Sequence, residues 1–152
     1  MKRGKPLSVE TKEKISYIRA MQISENPYTV STTRIKWHKA RNVMDEEYAL
    51  QGHWEENVAL RLNELGICWT KSKPLKYFKD YWHNYTPDLY IPSMDIYIEV
   101  KGHYPDKDRS KMKLVVQQNP DKKIYFIHDQ YREFISGSVP FDDNLLIKES
   151  DL

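Results

Sequence analysis

The sequence predicts an α/β fold: a mixed sheet flanked by helices, with a helical, basic N-terminal extension. Three observations predict it. Residues 96–101 alternate strictly, with Ile96, Ile98 and Val100 on one face and Tyr97, Glu99 and Lys101 on the other, which is the period of a strand. Trp54, Val58, Leu62 and Leu65 recur at helical spacing, and Gly66 supplies a stop. A second helical pattern containing Met112, Val115 and Val116 precedes the apolar run Ile124-Tyr125-Phe126-Ile127. A helix between two strands makes a crossover natural.

The elements follow in order. Ser8 is placed to cap a helix beginning near Val9, and Asn26-Pro27 breaks the chain. A second helix is expected from Ser31 or Thr32 to about Met44. Arg34, Lys36, Lys39 and Arg41 make it basic, while Ile35, Trp37, Val43 and Met44 supply apolar surface. Such a helix suits DNA reading or packing on the rest of the chain. Asp45-Glu46-Glu47 reads as a boundary or a short helical continuation. In the next helix Glu55 and Glu56 occupy the first turn, where carboxylates pair favourably with the helix dipole or can aim at a metal; position alone does not choose. Strands are expected at residues 67–69 and 75–78, with residues 79–84 as a connection. Two further strands, residues 89–91 and 96–101, are joined by a turn at residues 92–95. Asp106 or Asp108 is expected to cap the helix that ends near Asn119-Pro120. After Gly137 the chain reads as an irregular acidic tail. The expected division is a basic extension over residues 1–50 and a core over residues 51–152.

The charge is unevenly placed. Residues 1–41 carry ten Lys/Arg against three acids, and residues 42–152 carry fourteen against nineteen, so a formal +2 splits into about +7 and about −5. A basic arm beside an acidic body is common in nucleic-acid proteins, although a solvated basic tail gives the same split. Cys68 is the single cysteine, so no intrachain disulfide forms and a reducing, cytoplasmic setting is expected. The five histidines are scattered without zinc-ligand spacing. No apolar run has spanning length, and no membrane partner is expected.

The chemistry centres on Tyr85-Thr86-Pro87-Asp88 and Ile98-Glu99-Val100-Lys101-Gly102. If the two short strands pair as a hairpin, Asp88 meets Glu99 across the ladder, and Lys101 points the same way as Glu99. Hard oxygen donors suit Mg²⁺, which takes one or two carboxylates plus substrate phosphate, with Mn²⁺ as the expected substitute. Two carboxylates at one site repel without a cation. Lys101 would orient or activate a water and offset phosphate charge.

From His53 to about His128 the chain resembles the PD-(D/E)XK nucleases, whose fold is restriction-endonuclease-like. Within them it is most similar to the phage-type endonuclease I, a Holliday-junction-resolving family. The matching residues are Trp54-Glu55-Glu56-Asn57-Val58, Leu65-Gly66-Ile67, Tyr85-Thr86-Pro87-Asp88, Glu99-Val100-Lys101-Gly102, Asp108-Arg109-Ser110-Lys111 and Gln118-Asn119-Pro120. The resemblance implies metal binding by Asp88 and Glu99, with Glu55 completing the acidic cluster and Lys101 as the catalytic lysine. It also implies phage origin and a homodimer whose subunits exchange segments, so Glu55 can belong to its own site or to a partner's. The Asp88–Glu99 gap is about one residue longer than in that family, and Leu89 replaces an aromatic. The N-terminal run from Gly4-Lys5 to Ile15-Ser16 resembles the modular DNA-binding helix of homing endonucleases, which implies phosphate contacts by Lys5, Lys12 and Lys14. Arg34, Lys36, Lys39 and Arg41 join them as candidate DNA contacts. The expected function is a Mg²⁺-dependent endonuclease on double-stranded or branched DNA. A homing-type, sequence-directed enzyme is the first reading and a junction resolvase the alternative. A DNA-binding protein without activity is the reading from a different class.

Overall fold

The computed structural model describes residues 4–25 and 36–152. Helix α1 (Val9–Glu25) starts as expected: the Ser8 hydroxyl accepts the Thr11 backbone N–H at 3.2 Å. Strands β1 (Trp37–Arg41) and β2 (Glu47–Gln51) then pair antiparallel, and α2 (Gly52–Glu64) follows directly. Strand β3 (Thr70–Lys71) is short, and β4 (Leu75–Lys79) and β5 (Tyr81–Tyr85) form a second antiparallel hairpin. Strands β6 (Leu89–Ile91) and β7 (Ile96–Val100), helix α3 (Asp106–Gln118), β8 (Lys123–Ile127) and α4 (Tyr131–Ser136) complete the core.

The central sheet has the order β3-β6-β7-β8. It is mixed: β3-β6 and β6-β7 are antiparallel, and β7-β8 are parallel with α3 as the crossover. The α/β expectation, with a mixed sheet flanked by helices and a helical N-terminal extension, holds. One face packs Leu89, Ile91, Ile98 and Ile127 against Val58 and Leu62 of α2 and Phe134 of α4. The other packs Tyr97 and Ile124 against Met112 and Val115 of α3 and Leu75, Tyr77 and Tyr85 of the β4–β5 hairpin. Each fully buried aliphatic side chain contributes about 1.5–3 kcal/mol.

Helix α2 ends in a left-handed Gly66 (φ 70°). Ile67 N–H bonds the Leu62 carbonyl at 2.9 Å and Gly66 N–H bonds that of Asn63 at 3.0 Å, the paired closure that favours glycine at this position. The β6–β7 turn at residues 92–95 spans the gap between Asp88 and Glu99, and the ladder from Leu89↔Ile98 to Ile91↔Ile96 carries no bulge.

The structure corrects several expectations. The helix over residues 31–44 is not formed where the chain is described: residues 37–41 are a strand, and residues 31–35 lie outside the described residues. Asn42 makes the turn, its Oδ1 accepting the Met44 and Glu46 N–H groups at 3.0 Å each, with Asp45 left-handed at φ 62°. Val43 and Met44 therefore face solvent. Glu47 begins β2 rather than prolonging a helix. Residues 67–69 lie outside the ladder, although Trp69 is fully buried. The segment 79–84 is not a connection but a turn at Asp80 followed by β5. Pro105, not Asp106 or Asp108, occupies the cap position of α3. The second face of β7 is covered, leaving Glu99 only 4% exposed.

The segment after Gly137 is docked rather than loose. Leu145 is buried, Leu146 bridges Tyr125, and Ile147 N–H bonds the Ile124 carbonyl at 2.9 Å. The Tyr104 hydroxyl donates to the Asp151 carbonyl at 2.6 Å. It lines the outer edge of β8.

Candidate active site

The hairpin β6–β7 and the N-terminal turn of α2 bring the expected acids together. Asp88 precedes β6, where its N–H bonds the Ile98 carbonyl and its Oδ2 accepts the Val100 N–H at 2.8 Å. This fixes the carboxylate beside Glu99. Glu55, 7% exposed, projects from the first turn of α2, and its Oε2 accepts the Gln51 N–H at 2.9 Å. All three acids and Lys101 line one cleft of about 510 Å³.

The electrostatics record their proximity. Burial, then the Asp88 carboxylate, pushes Glu55 up to about 9, against the opposing pull of Lys71. Burial, then Asp88, pushes Glu99 up to about 8, against Lys101 and Tyr85. Asp88 is thus the common neighbour of both glutamates, and Glu55 stands beside the Asp88 of its own chain. All four residues line the cleft of a single chain. The trio is open, however, since its carboxylate oxygens do not all fall within 4.8 Å of one another.

Lys101 Nζ lies 3.4 Å from Glu99 Oε1 and 3.4 Å from Asp108 Oδ2. Burial pulls its pKa down, but Glu99, Asp108 and Asp88 outweigh this and the net displacement is upward. Lys101 is therefore held as a cation.

These residues fit a divalent cation on their own chemistry. Glu99 Oε2 and the adjoining Tyr85 hydroxyl are both buried, and the contact between them is too poorly aligned to count as a formed hydrogen bond. Three carboxylates share the cleft, and an oxygen set of this kind suits a hard ion. A buried unpaired oxygen and mutual repulsion are both relieved by a positive charge.

Several residues in the cleft or in contact with its lining were not foreseen. Lys71 on β3 lies 3.7 Å from Glu55 Oε2 with both side chains nearly buried. Nothing in a two-residue strand announces it. Asp108 was expected as a cap and instead pairs with Lys101. Lys111 rests 5.2 Å over the Tyr85 ring. Helix α1 supplies Lys12, Ser16 and Arg19 to the cleft wall; Arg19 carried no motif.

The expected DNA contacts divide. Lys12 reaches the cleft and lies over Tyr81 at 5.3 Å. Lys14 is paired at 3.4 Å with Glu10 on the exposed side of α1, and Lys5 is exposed. Lys39 sits 3.8 Å from Glu47, and Arg41 contacts Asp45 and Glu47 at 3.3 Å each. Lys5, Lys14, Lys39 and Arg41 do not line the cleft of the acids. Lys36 is exposed just before β1, and Arg34 lies outside the described residues. No helix among the described residues is long and apolar enough to cross a membrane.

Comparison with known proteins adds one finding. A family model described as Phage endonuclease I matches residues 35–140. No curated protein matches, and no solved structure matches.

Proposed function

Because the chain belongs to the phage endonuclease I family, we propose that it is a Mg²⁺-dependent DNA endonuclease that hydrolyses phosphodiesters in branched DNA. The observation that carries the reading is the convergence of Glu55, Asp88, Glu99 and Lys101 on one cleft. In it, Asp88 and Glu99 would hold the metal, Mg²⁺ or Mn²⁺ in its place, and Glu55 would complete its acidic surroundings. A bound cation would supply Lewis acidity toward water and phosphate. Lys101, kept cationic by Glu99 and Asp108, offsets phosphate charge and orients the attacking water rather than removing a proton. Asp108 holds the ammonium in place. Lys12, Arg19 and Lys111 grip the flanking phosphates, since phosphate contacts position a substrate without reading sequence. The PD-(D/E)XK assignment and a homodimer belong to the same proposal. So does a division of labour in which residues 1–50 grip DNA and residues 51–152 carry the chemistry.

One observation favours a second reading, homing-type cleavage of a chosen duplex sequence. Helix α1, which resembles a modular DNA-binding helix, is capped by Ser8 and lines the cleft. The test compares linear duplex, supercoiled duplex and four-way junction, each incubated with protein and Mg²⁺. Preferential cutting of the junction regardless of sequence supports the first reading. Cutting of one duplex sequence, with about 10³-fold or greater discrimination, replaces it with the second. Binding without nicking of any substrate overturns both and leaves a DNA-binding protein. In the first two cases Asp88→Asn and Lys101→Ala each lower the rate by about 10²-fold or more.

A further inference from the structure

Two of the five histidines that look scattered in sequence come together. His38 on β1 meets His53 and Glu56 from the first turn of α2, and one ligand atom from each lies within 4.8 Å of the other two. His53 and Glu56 are three residues apart, so they share a helix face. His38 pairs with Leu50 in the hairpin ladder, which fixes its ring against that face. The two imidazole centroids are 4.3 Å apart at 47°. His38 Nδ1 approaches Glu56 Oε2 at 2.8 Å. That contact lacks hydrogen-bond alignment: Glu56 Oε2 and His38 Nε2 are both buried without a hydrogen-bond partner. An ordinary His–Glu ion pair would not leave both atoms so, nor would it recruit a second imidazole.

We propose that His38, His53 and Glu56 form a Zn²⁺ site, separate from the acidic cleft, that ties the β1–β2 hairpin to the first turn of α2. Two imidazole nitrogens and one carboxylate oxygen are a donor set for a borderline ion, with water in the fourth tetrahedral position. Mg²⁺, which prefers oxygen donors, is disfavoured there. Neighbouring helix residues do not face each other, so Glu56 turns to the histidines while Glu55 turns to the cleft. Zinc on Glu56 therefore anchors the helical turn that presents Glu55.

The test uses the full chain stripped with EDTA. Zn²⁺ affinity is measured by competition with a chromogenic chelator, and Co²⁺ by its visible absorption. The native protein and Asp88→Asn are expected to bind one Zn²⁺ per chain, to give the intense Co²⁺ bands of a four-coordinate site, and to gain thermal stability from Zn²⁺. His53→Ala removes an exposed ring, so its melting temperature in EDTA is expected to equal the native one. Its Zn²⁺ affinity is expected to fall by about a hundredfold, with loss of the Co²⁺ bands; Glu56→Gln is expected to behave the same way. Native-like zinc affinity in both His53→Ala and Glu56→Gln overturns the site. So does loss of zinc in Asp88→Asn, which would assign the ion to the acidic cleft.

Discussion

Glu99 is a carboxyl group 4% exposed with a second carboxylate beside it and one oxygen left without a formed hydrogen bond. Burial and Asp88 raise both Glu99 and Glu55 above the ordinary carboxylate range, to about 8 and about 9. A folded-state pKa raised in this way means that the folded chain holds its protons more tightly than the unfolded chain. The associated stability is complete below the ordinary carboxylate pKa and is lost as pH rises through the folded values. The metal-free protein is therefore expected to lose thermal stability progressively from about pH 5 to about pH 9. Added Mg²⁺ should recover most at the alkaline end, because its ligands must be deprotonated; thermal melts across pH with EDTA or Mg²⁺ measure both. Asp88→Asn keeps an oxygen for the Val100 N–H and removes the repulsion. It is expected to stabilise the metal-free chain at pH 8 by about 1 kcal/mol, or about 2–4 °C, and to abolish the Mg²⁺ effect. At this scale much was legible. Asp88, Glu99 and Lys101 follow from the alternation of β7 and a hairpin turn, and Glu55 from likeness to a family. Lys71 and the pairing of Asp108 with Lys101 were not legible, because both depend on contacts between elements remote in sequence.

Among the elements, α1 has a structural duty besides its cleft residues. Strand β5 leaves outward N–H groups, and α1 takes them: Trp82 N–H bonds Glu13 Oε1 at 3.0 Å and Asn84 N–H bonds Ser16 Oγ at 3.1 Å. Covering an open strand edge suppresses association through it. Removing α1 would thus confuse DNA binding with edge exposure, whereas Lys12→Ala with Arg19→Ala leaves the cover in place. That double variant is expected to bind DNA more weakly and with a shallower salt dependence, by roughly 0.9 in the log–log slope for each lost phosphate contact. Unchanged affinity and slope in a filter-binding series would make α1 a cover only. The C-terminal segment is a core component, so Leu145→Ala is expected to cost about 2–5 kcal/mol in denaturant melts. The elements that sequence reading missed share a cause. In β1 and β5 charged and aromatic residues alternate without an apolar face, since Trp82 is about half exposed and only Ala40 of β1 is buried. Periodicity registers hydrophobic contrast, and these strands have little. Helix α2 and strand β7 carry that contrast in sequence and β8 is a continuous apolar run, so all three elements were placed, although the second face of β7 proves covered.

At the scale of the whole molecule, one chain gathers a complete candidate site from α2, β3, the β6–β7 hairpin and α3, with α1 along the wall. One site cuts one strand most simply, so paired incisions call for a symmetric dimer. If the proposed dimer forms, Glu55 works with the Asp88 of its own chain. Mixing Glu55→Gln chains with Asp88→Asn chains is then expected to restore no cleavage, because no hybrid contains an intact site. Recovery of activity in the mixture would show that Glu55 acts across the interface. The α/β layering was legible because its core helices and strands are strongly patterned. The meeting of His38 with His53 was not, because only the β1–β2 hairpin folds one back on the other.

The central claim is that Glu55, Asp88 and Glu99 gather around one divalent ion. Manganese anomalous diffraction from crystals soaked in Mn²⁺ tests it most directly. The expected map shows a peak within coordinating distance of Asp88 and Glu99 in the native protein, with Glu55 beside it, and no peak there in Asp88→Asn. A native cleft without manganese, in a protein that still cuts DNA in that metal, would contradict the account.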